Sequence, residues 1–200
     1  MKEERTEGIV LKTFDYKEKE RILTVFTPYA GILSIIAKKI KNSHSLALTT
    51  PFCQAEFLLF KGKSDLFKLQ EGILINDHSF LRAQFSYLQT AAEMVKIILK
   101  TQLPGKPSPK LYELLLAYLS QLPNFTDVTP LMTSFYLKLL THEGLVSWAS
   151  PSDFPLSVSD REWSQLKHLA LIRSFKEMHS INLSPELGHK IKDQLPLSFF

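Results

Sequence analysis

The chain has 200 residues, 44% of them hydrophobic and 22% charged, with a formal net charge of +4. That apolar share supplies a core for one larger domain or two small ones and excludes a disordered or fibrous chain, while the mild positive excess favours polyanions without naming one. A single cysteine, Cys53, excludes an intramolecular disulfide and a cysteine-rich metal site and fits a reducing, cytoplasmic compartment.

Residues 1–7 carry charges of both signs and lead into no apolar run, so a secretory signal is not expected. Every apolar stretch is interrupted by Lys, Arg, Asp or Glu before it reaches the length of a membrane span.

The first part of the chain has strand character. Gly8 to Phe14, Ile22 to Thr27, Ile32 to Ala37, Cys53 to Phe60 and Leu66 to Ile75 are short and rich in Ile, Val, Thr and Phe. Pro28-Tyr29-Ala30-Gly31 and Lys61-Gly62-Lys63-Ser64 supply turns between them. Five such strands predict a small barrel, which closes on itself and so removes exposed edges. Lys38 to Pro51 is polar and aperiodic and is expected to be a loop, as is Ser147 to Ser157.

From Leu81 the period becomes helical, with Leu81, Phe85, Leu88, Ala92, Val95 and Leu99 predicted on one face. Ser108-Pro109, Thr129-Pro130 and Ser184-Pro185 each suggest a capping hydroxyl before a proline in the first helical position. Ser159 with Glu162 reads as a capping box, and Gly144 is placed to end a helix running from Leu131 to Glu143. The expected fold is α+β: a barrel domain over residues 1–78 followed by a helical domain over 79–200.

Catalytic signatures are missing. The seven glycines form no dinucleotide or phosphate-binding loop, and neither an H-E-x-x-H helix nor paired C-x-x-C knuckles occur, so no metal or cofactor and no enzymatic activity is expected. Ser164-x-x-Lys167 lacks its companion motifs, and Glu186-x-x-His189 is half of a di-iron pattern. Both read as solvated helix faces, His142 beside Glu143 as a helix-end pair, and Cys53 as a small buried hydrophobe. Asn124-x-Thr126 and Asn182-x-Ser184 match glycosylation sequons only formally in a chain not expected to be exported.

The informative feature is lysine. Between Leu33 and Gln70 six lysines, Lys38, Lys39, Lys41, Lys61, Lys63 and Lys68, face only Glu56 and Asp65, an excess equal to that of the whole chain. Cationic loops at a barrel rim suit a sugar-phosphate backbone, because each ammonium neutralises a phosphate and releases a counterion. Lysine at strand ends also discourages edge-to-edge aggregation, and both readings stand on composition alone. Tyr16, Tyr29, Phe60 and Phe67 are candidates for a base-stacking platform.

An ordered string of motifs resembles the RecO family of bacterial recombination mediators: Glu7-Gly8-Ile9-Val10-Leu11, Tyr16-Lys17-Glu18, Arg21-Ile22-Leu23, Phe26-Thr27 with Gly31, Ala37-Lys38, Pro51-Phe52, Phe60-Lys61-Gly62, and Leu69 with Glu71. Leu111 to Leu116 and Phe135 to Leu140 with Gly144 continue it more loosely. The resemblance implies an N-terminal OB-fold and a helical domain, binding of single- and double-stranded DNA, annealing of complementary strands, and action with RecR in helping RecA replace SSB. Arg21, within its motifs, joins Tyr16 and the six lysines as nucleic-acid-binding candidates. Lys138 and Phe135 become candidates for a partner surface such as one for the SSB tail. An RNA- or single-strand-binding barrel of another pathway and a protein-interaction scaffold remain alternatives.

Departures from the family pattern are specific. The four-cysteine zinc site that many members carry after the helix ending at Gly144 has no cysteines here, Lys39 stands where a glycine is common, and Lys41 stands in for an arginine. Lysine keeps the charge and loses the bidentate fork. Thr133 and Ser134 replace basic residues of some relatives.

Overall fold

The computed structural model describes residues 2–39, 43–62 and 65–194. Two compact units emerge: residues 1–80 with 101–113, and residues 81–100 with 114–200. The return of 101–113 to the first unit has no marker in the sequence.

The first unit is a closed five-stranded barrel with strand order β1-β2-β3-β5-β4. Its strands are β1 (Lys2–Lys17), β2 (Glu20–Thr27), β3 (Gly31–Lys38), β4 (Gln54–Lys61) and β5 (Phe67–Asn76), with the short helix α1 (Ser43–Leu48) between β3 and β4. This is the OB-fold arrangement. Alternation drives it: in β3, Leu33, Ile35 and Ala37 point inward while Ser34 and Lys38 point to solvent. They meet Val10, Leu23, Val25, Phe57, Leu59 and Phe67 in one core. Closure needs β3 and β5 to pair in parallel, at Ile35 with Phe67 and Ile36 with Lys68.

The expected loop from Lys38 to Pro51 contains α1, six residues long and too short to show a period. Its Leu48 is buried, and a side chain on Gly72 would come within 3.0 Å of Leu48 Cδ1. Glycine in β5 makes room for the helix.

Residues 101–113 cover part of the barrel. Gly105 N–H donates to the Ala30 carbonyl at 2.9 Å, Ser108 N–H to the Pro28 carbonyl at 2.9 Å, and Ile32 N–H to the Leu103 carbonyl at 3.3 Å. The Tyr112 ring stands edge-on to Phe26 at 5.7 Å, and its hydroxyl donates to Glu7 Oε1 at 2.9 Å. Burial, reinforced by the Glu7 carboxylate, pushes the Tyr112 hydroxyl far above its ordinary value. Gly31 has φ +64°, and a side chain there would lie 2.3 Å from the Leu103 carbonyl oxygen.

The second unit is helical: α2 (Phe85–Thr101), the later turns of α3 (Pro109–Gln121), α4 (Thr129–His142), α5 (Asp160–Leu171), α6 (Phe175–Met178) and α7 (Pro185–Gln194). Among the described residues, no helix is long and apolar enough to cross a membrane. The core face of α2 is Ala91, Met94, Val95 and Ile98, whereas the predicted Phe85, Leu88, Ala92 and Leu99 are exposed. Both sets keep a period of 3.6, so periodicity alone could not choose between them. Of the predicted face only Val95, together with Leu81 in the preceding 3₁₀ turn, is buried.

Helix ends follow the sequence in part. Ser159 and Glu162 form the capping box, and the Ser159 N–H and hydroxyl hold the Glu162 carboxyl below its ordinary value. Ser184 Oγ accepts the Leu187 N–H at 3.2 Å. Gly144, at φ +72°, ends α4: Leu145 N–H donates to the Leu140 carbonyl and Gly144 N–H to that of Thr141. Two expected caps differ. Val128 occupies the cap of α4 while Asp127 Oδ1 accepts the Thr129 N–H, and the Ser108 hydroxyl is buried without a hydrogen-bond partner. Thr129 lies inside α4 as its first residue, one position before the predicted start at Pro130, and the Ser108 carbonyl, not its side chain, starts α3 by accepting the Tyr112 N–H.

Helix α4 is buried nearly all round and packs on α5 and α7. Ser134 Oγ donates to the Leu169 carbonyl at 2.6 Å, so the Tyr118 hydroxyl, 2.8 Å away, must donate to Ser134. Lys138 Nζ caps the end of α5 through the carbonyls of Ala170 at 2.9 Å and Ile172 at 2.7 Å. The expected loop after Gly144 is tied down by Trp148, whose Nε1 donates to Thr141 Oγ1 at 2.8 Å and whose ring contacts Phe154 and Trp163.

Replacing Gly31 with Ala should destabilise the chain by about 2 kcal/mol or more, since it adds a left-handed penalty of roughly 1–2 kcal/mol to a backbone collision; urea unfolding measures it. Burial pushes the Tyr118 hydroxyl up from 10.0 to about 12. The folded chain therefore holds this proton more tightly than the unfolded chain. Stability from this group is complete below pH 10 and falls by about 2–3 kcal/mol as pH rises from 10 to 12. Unfolding curves across that range should show the fall, and Tyr118→Phe should make it shallower.

Candidate nucleic-acid interface

The β1–β2 hairpin tip and the end of β3 form one charged rim. Register places Lys17 opposite Glu20, Glu20 opposite Lys38, and Asp15 opposite Arg21. Lys39 N–H extends the ladder by donating to the Lys19 carbonyl at 2.9 Å. The result is a shallow cleft of about 650 Å³ lined by Lys17, Glu18, Lys19, Glu20, Lys38 and Lys39. Lys17 Nζ is 3.6 Å from Glu20 Oε2, and it also lies over the ring of exposed Tyr16.

Below the rim a row crosses the outer face of the barrel. Cross-strand partners share a face, so the successive pairs Phe14 with Ile22, Ile22 with Ile36, Ile36 with Lys68, and Lys68 with Phe60 form one continuous line. Its Phe14 is 45% exposed and Lys68 is exposed between the half-buried Ile36 and Phe60, whereas Ile22, next to Phe14, is buried. An apolar strip carrying an aromatic ring and a cation, beside a cationic cleft, has the components that stack bases and neutralise phosphates.

Phe14 was not among the aromatic candidates, and the physical reason is a bulge. Simple alternation from the core residue Val10 turns Phe14 inward. The register shift between Val10 and Lys12 puts Thr13 opposite the core residue Leu23 and turns Phe14 outward. Lys17 and Lys19 also join the rim; their alternation with Glu18 and Glu20 hid them.

The predicted residues fall into distinct groups. Lys38, Lys61 and Lys68 are exposed, Lys61 with its ammonium 5.1 Å from the Phe67 ring centre at the barrel mouth. Lys39 and Arg21 are engaged by Asp15, through Lys39 Nζ to Oδ2 at 2.9 Å and Arg21 Nη2 to Oδ1 at 3.6 Å. Arg21 Nη1 also donates to Thr49 Oγ1 at 2.9 Å. Lys41 and Lys63 lie outside the described residues. Of the stacking candidates, Phe67 is a core residue, and Tyr29 sits in the turn at the other end of β2, about 25 Å along the strand direction from the rim.

Two further candidates have different roles from those expected. Phe135 is fully buried against Tyr118, because α4 is central to its unit, so its ring offers no surface. Lys138 spends its ammonium on two carbonyls, and burial, with the charge of Arg173 adding to it, lowers its pKa. Cys53 is buried in the barrel core, and among the described residues no group of three His, Cys, Asp or Glu is arranged to hold a metal ion.

Residues 1–78 match the family described as Recombination protein O N terminal. The chain is 34% identical over 150 residues to the DNA repair protein RecO of Acetivibrio thermocellus, a match covering 73% of this chain and 59% of the relative. It is 33% identical to the RecO of Bacillus pumilus over 143 residues, covering 70% of this chain and 56% of the relative. The RecO of Chlamydia trachomatis serovar D is 33% identical over 142 residues, covering 68% and 57%. The aligned part thus spans less than three fifths of each of these relatives. The five-stranded barrel and the family match fall on the same residues, so residues 1–78 form a RecO N-terminal domain, and the similarity to RecO proteins extends over about 70% of the chain.

Proposed function

We propose that this chain binds DNA on the rim and outer face of its barrel, in recombinational repair in the bacterial cytoplasm. The single observation that supports this most is the convergence, from strands distant in sequence, of exposed Lys38, Lys61 and Lys68 with the outward-turned Phe14. The cations hold the sugar-phosphate backbone and the aromatic ring takes unstacked bases, which favours single strands.

The same chemistry suits annealing. Neutralised phosphates allow two complementary strands to approach, and shallow, solvent-facing contacts let the product duplex leave. The action is binding and exchange, with no bond made or broken. The names of the relatives and of the family support a role in DNA repair and recombination; within that role, the resemblance of the motifs implies a place beside RecR in helping RecA replace SSB on gapped DNA. The proposed SSB contact is not assigned to Phe135 or Lys138, whose groups are spent within the helical unit.

Charge reversal of Lys38, Lys39 and Lys41 should weaken binding of a labelled oligothymidylate. It should also flatten the log–log salt dependence by about 0.7 per lost contact, or roughly two for all three. An unchanged slope would remove this loop from the site, and binding confined to RNA would contradict the DNA assignment. Phe14→Ala should cost roughly 1–3 kcal/mol of single-strand affinity while leaving duplex affinity nearly unchanged.

A further inference from the structure

The geometry points to Asp15 as an internal stand-in for a nucleic-acid phosphate, a carboxylate that occupies Lys39 and Arg21 in the free protein and gives them up when DNA binds. This rests on the reading of the rim as the DNA site. The two carboxylate oxygens divide between two cations, Oδ2 lying 2.9 Å from Lys39 Nζ and Oδ1 3.6 Å from Arg21 Nη2. Two anionic oxygens facing two cations is also how a backbone phosphate sits on a basic pair.

Exposure sets the direction of exchange. The Asp15 side chain is 65% exposed, but those of Lys39 and Arg21 are only 26% and 20% exposed. The acid therefore lies on the solvent side of its partners and swings away easily, while they stay. Surface ion pairs of this kind are weak, so a ligand carrying several phosphates displaces the carboxylate without a large penalty.

Arg21 does not depend on Asp15 for its place, and Lys39 depends on it only for the position of its ammonium. Arg21 is independently held by Thr49 Oγ1 at 2.9 Å, and the Lys39 backbone by the Lys19 carbonyl at 2.9 Å. Removing the acid should free both charges. A merely positioning acid would have the opposite effect on affinity.

The test is oligothymidylate binding by the full chain across a salt series. Asp15→Asn should tighten binding about fivefold or more at low salt and leave the log–log slope nearly unchanged, since both cations reach phosphates in the wild-type complex as well. Unchanged or weaker binding by a variant with an unaltered circular dichroism spectrum would overturn the inference. A second variant does not depend on how Asp15→Asn folds: Lys39→Gln should cost less affinity than Lys38→Gln, because the Lys39 charge is already part-neutralised, and an equal or larger cost would also overturn it. Failure of Lys38→Glu to weaken binding at all would instead defeat the underlying reading of the rim.

Discussion

The parallel pairing of Ile35 with Phe67 and Ile36 with Lys68 is the narrowest join in the barrel and the one on which the candidate site depends. The other neighbouring strands are joined by long antiparallel ladders, whereas β3 and β5 meet only there. Those pairs carry both halves of the design. Their inward members, Ile35 and Phe67, close the core, and their outward members, Ile36 and Lys68, join the β1–β2–β3 side of the outer face to the β4–β5 side. Without that join, Lys38 and Lys68 would lie on opposite edges of an open sheet, connected only through the β1–β4 ladder.

A second constraint keeps the barrel from being a free module at its opposite end. Residues 101–113 bond to the β2–β3 turn, and Gly31 lets the two backbones meet where any side chain would collide. Tyr112 then covers Phe26 and satisfies its hydroxyl on Glu7. Covering this end leaves the hairpin tip and the end of β3 as the charged, open rim. The acid-to-base ratio there matters as much as the lysine count, since Glu18, Glu20 and Asp15 moderate the field that the lysines create.

Much of the fold was legible because strand and helix periods differ sharply. The five strands, the approximate bounds of β2 to β5, the capping box at Ser159 and the stop at Gly144 all follow from local rules, whereas β1 starts at Lys2, six residues before the predicted Gly8, in a charged stretch without an apolar alternation. What local rules missed has identifiable causes. The bulge near Leu11 reverses the parity of β1 and turns Phe14 outward. Helix α2 carries apolar residues on two faces, so only tertiary packing selects Met94 over Leu88. The return of 101–113 to the barrel is a long-range event with no periodic signature. For the site, the lysines were visible as an excess of charge, but the sharing of Asp15 between Lys39 and Arg21 required three strand ends to be placed in space.

The central claim is that single-stranded DNA lies across the outer face of the barrel. Photocrosslinking of the full chain to a bromodeoxyuridine-substituted oligonucleotide, with the adducts located by mass spectrometry, tests it most directly. The account predicts adducts on Phe14, Tyr16 and Phe60. Adducts confined to the helices from α2 to α7 would contradict it.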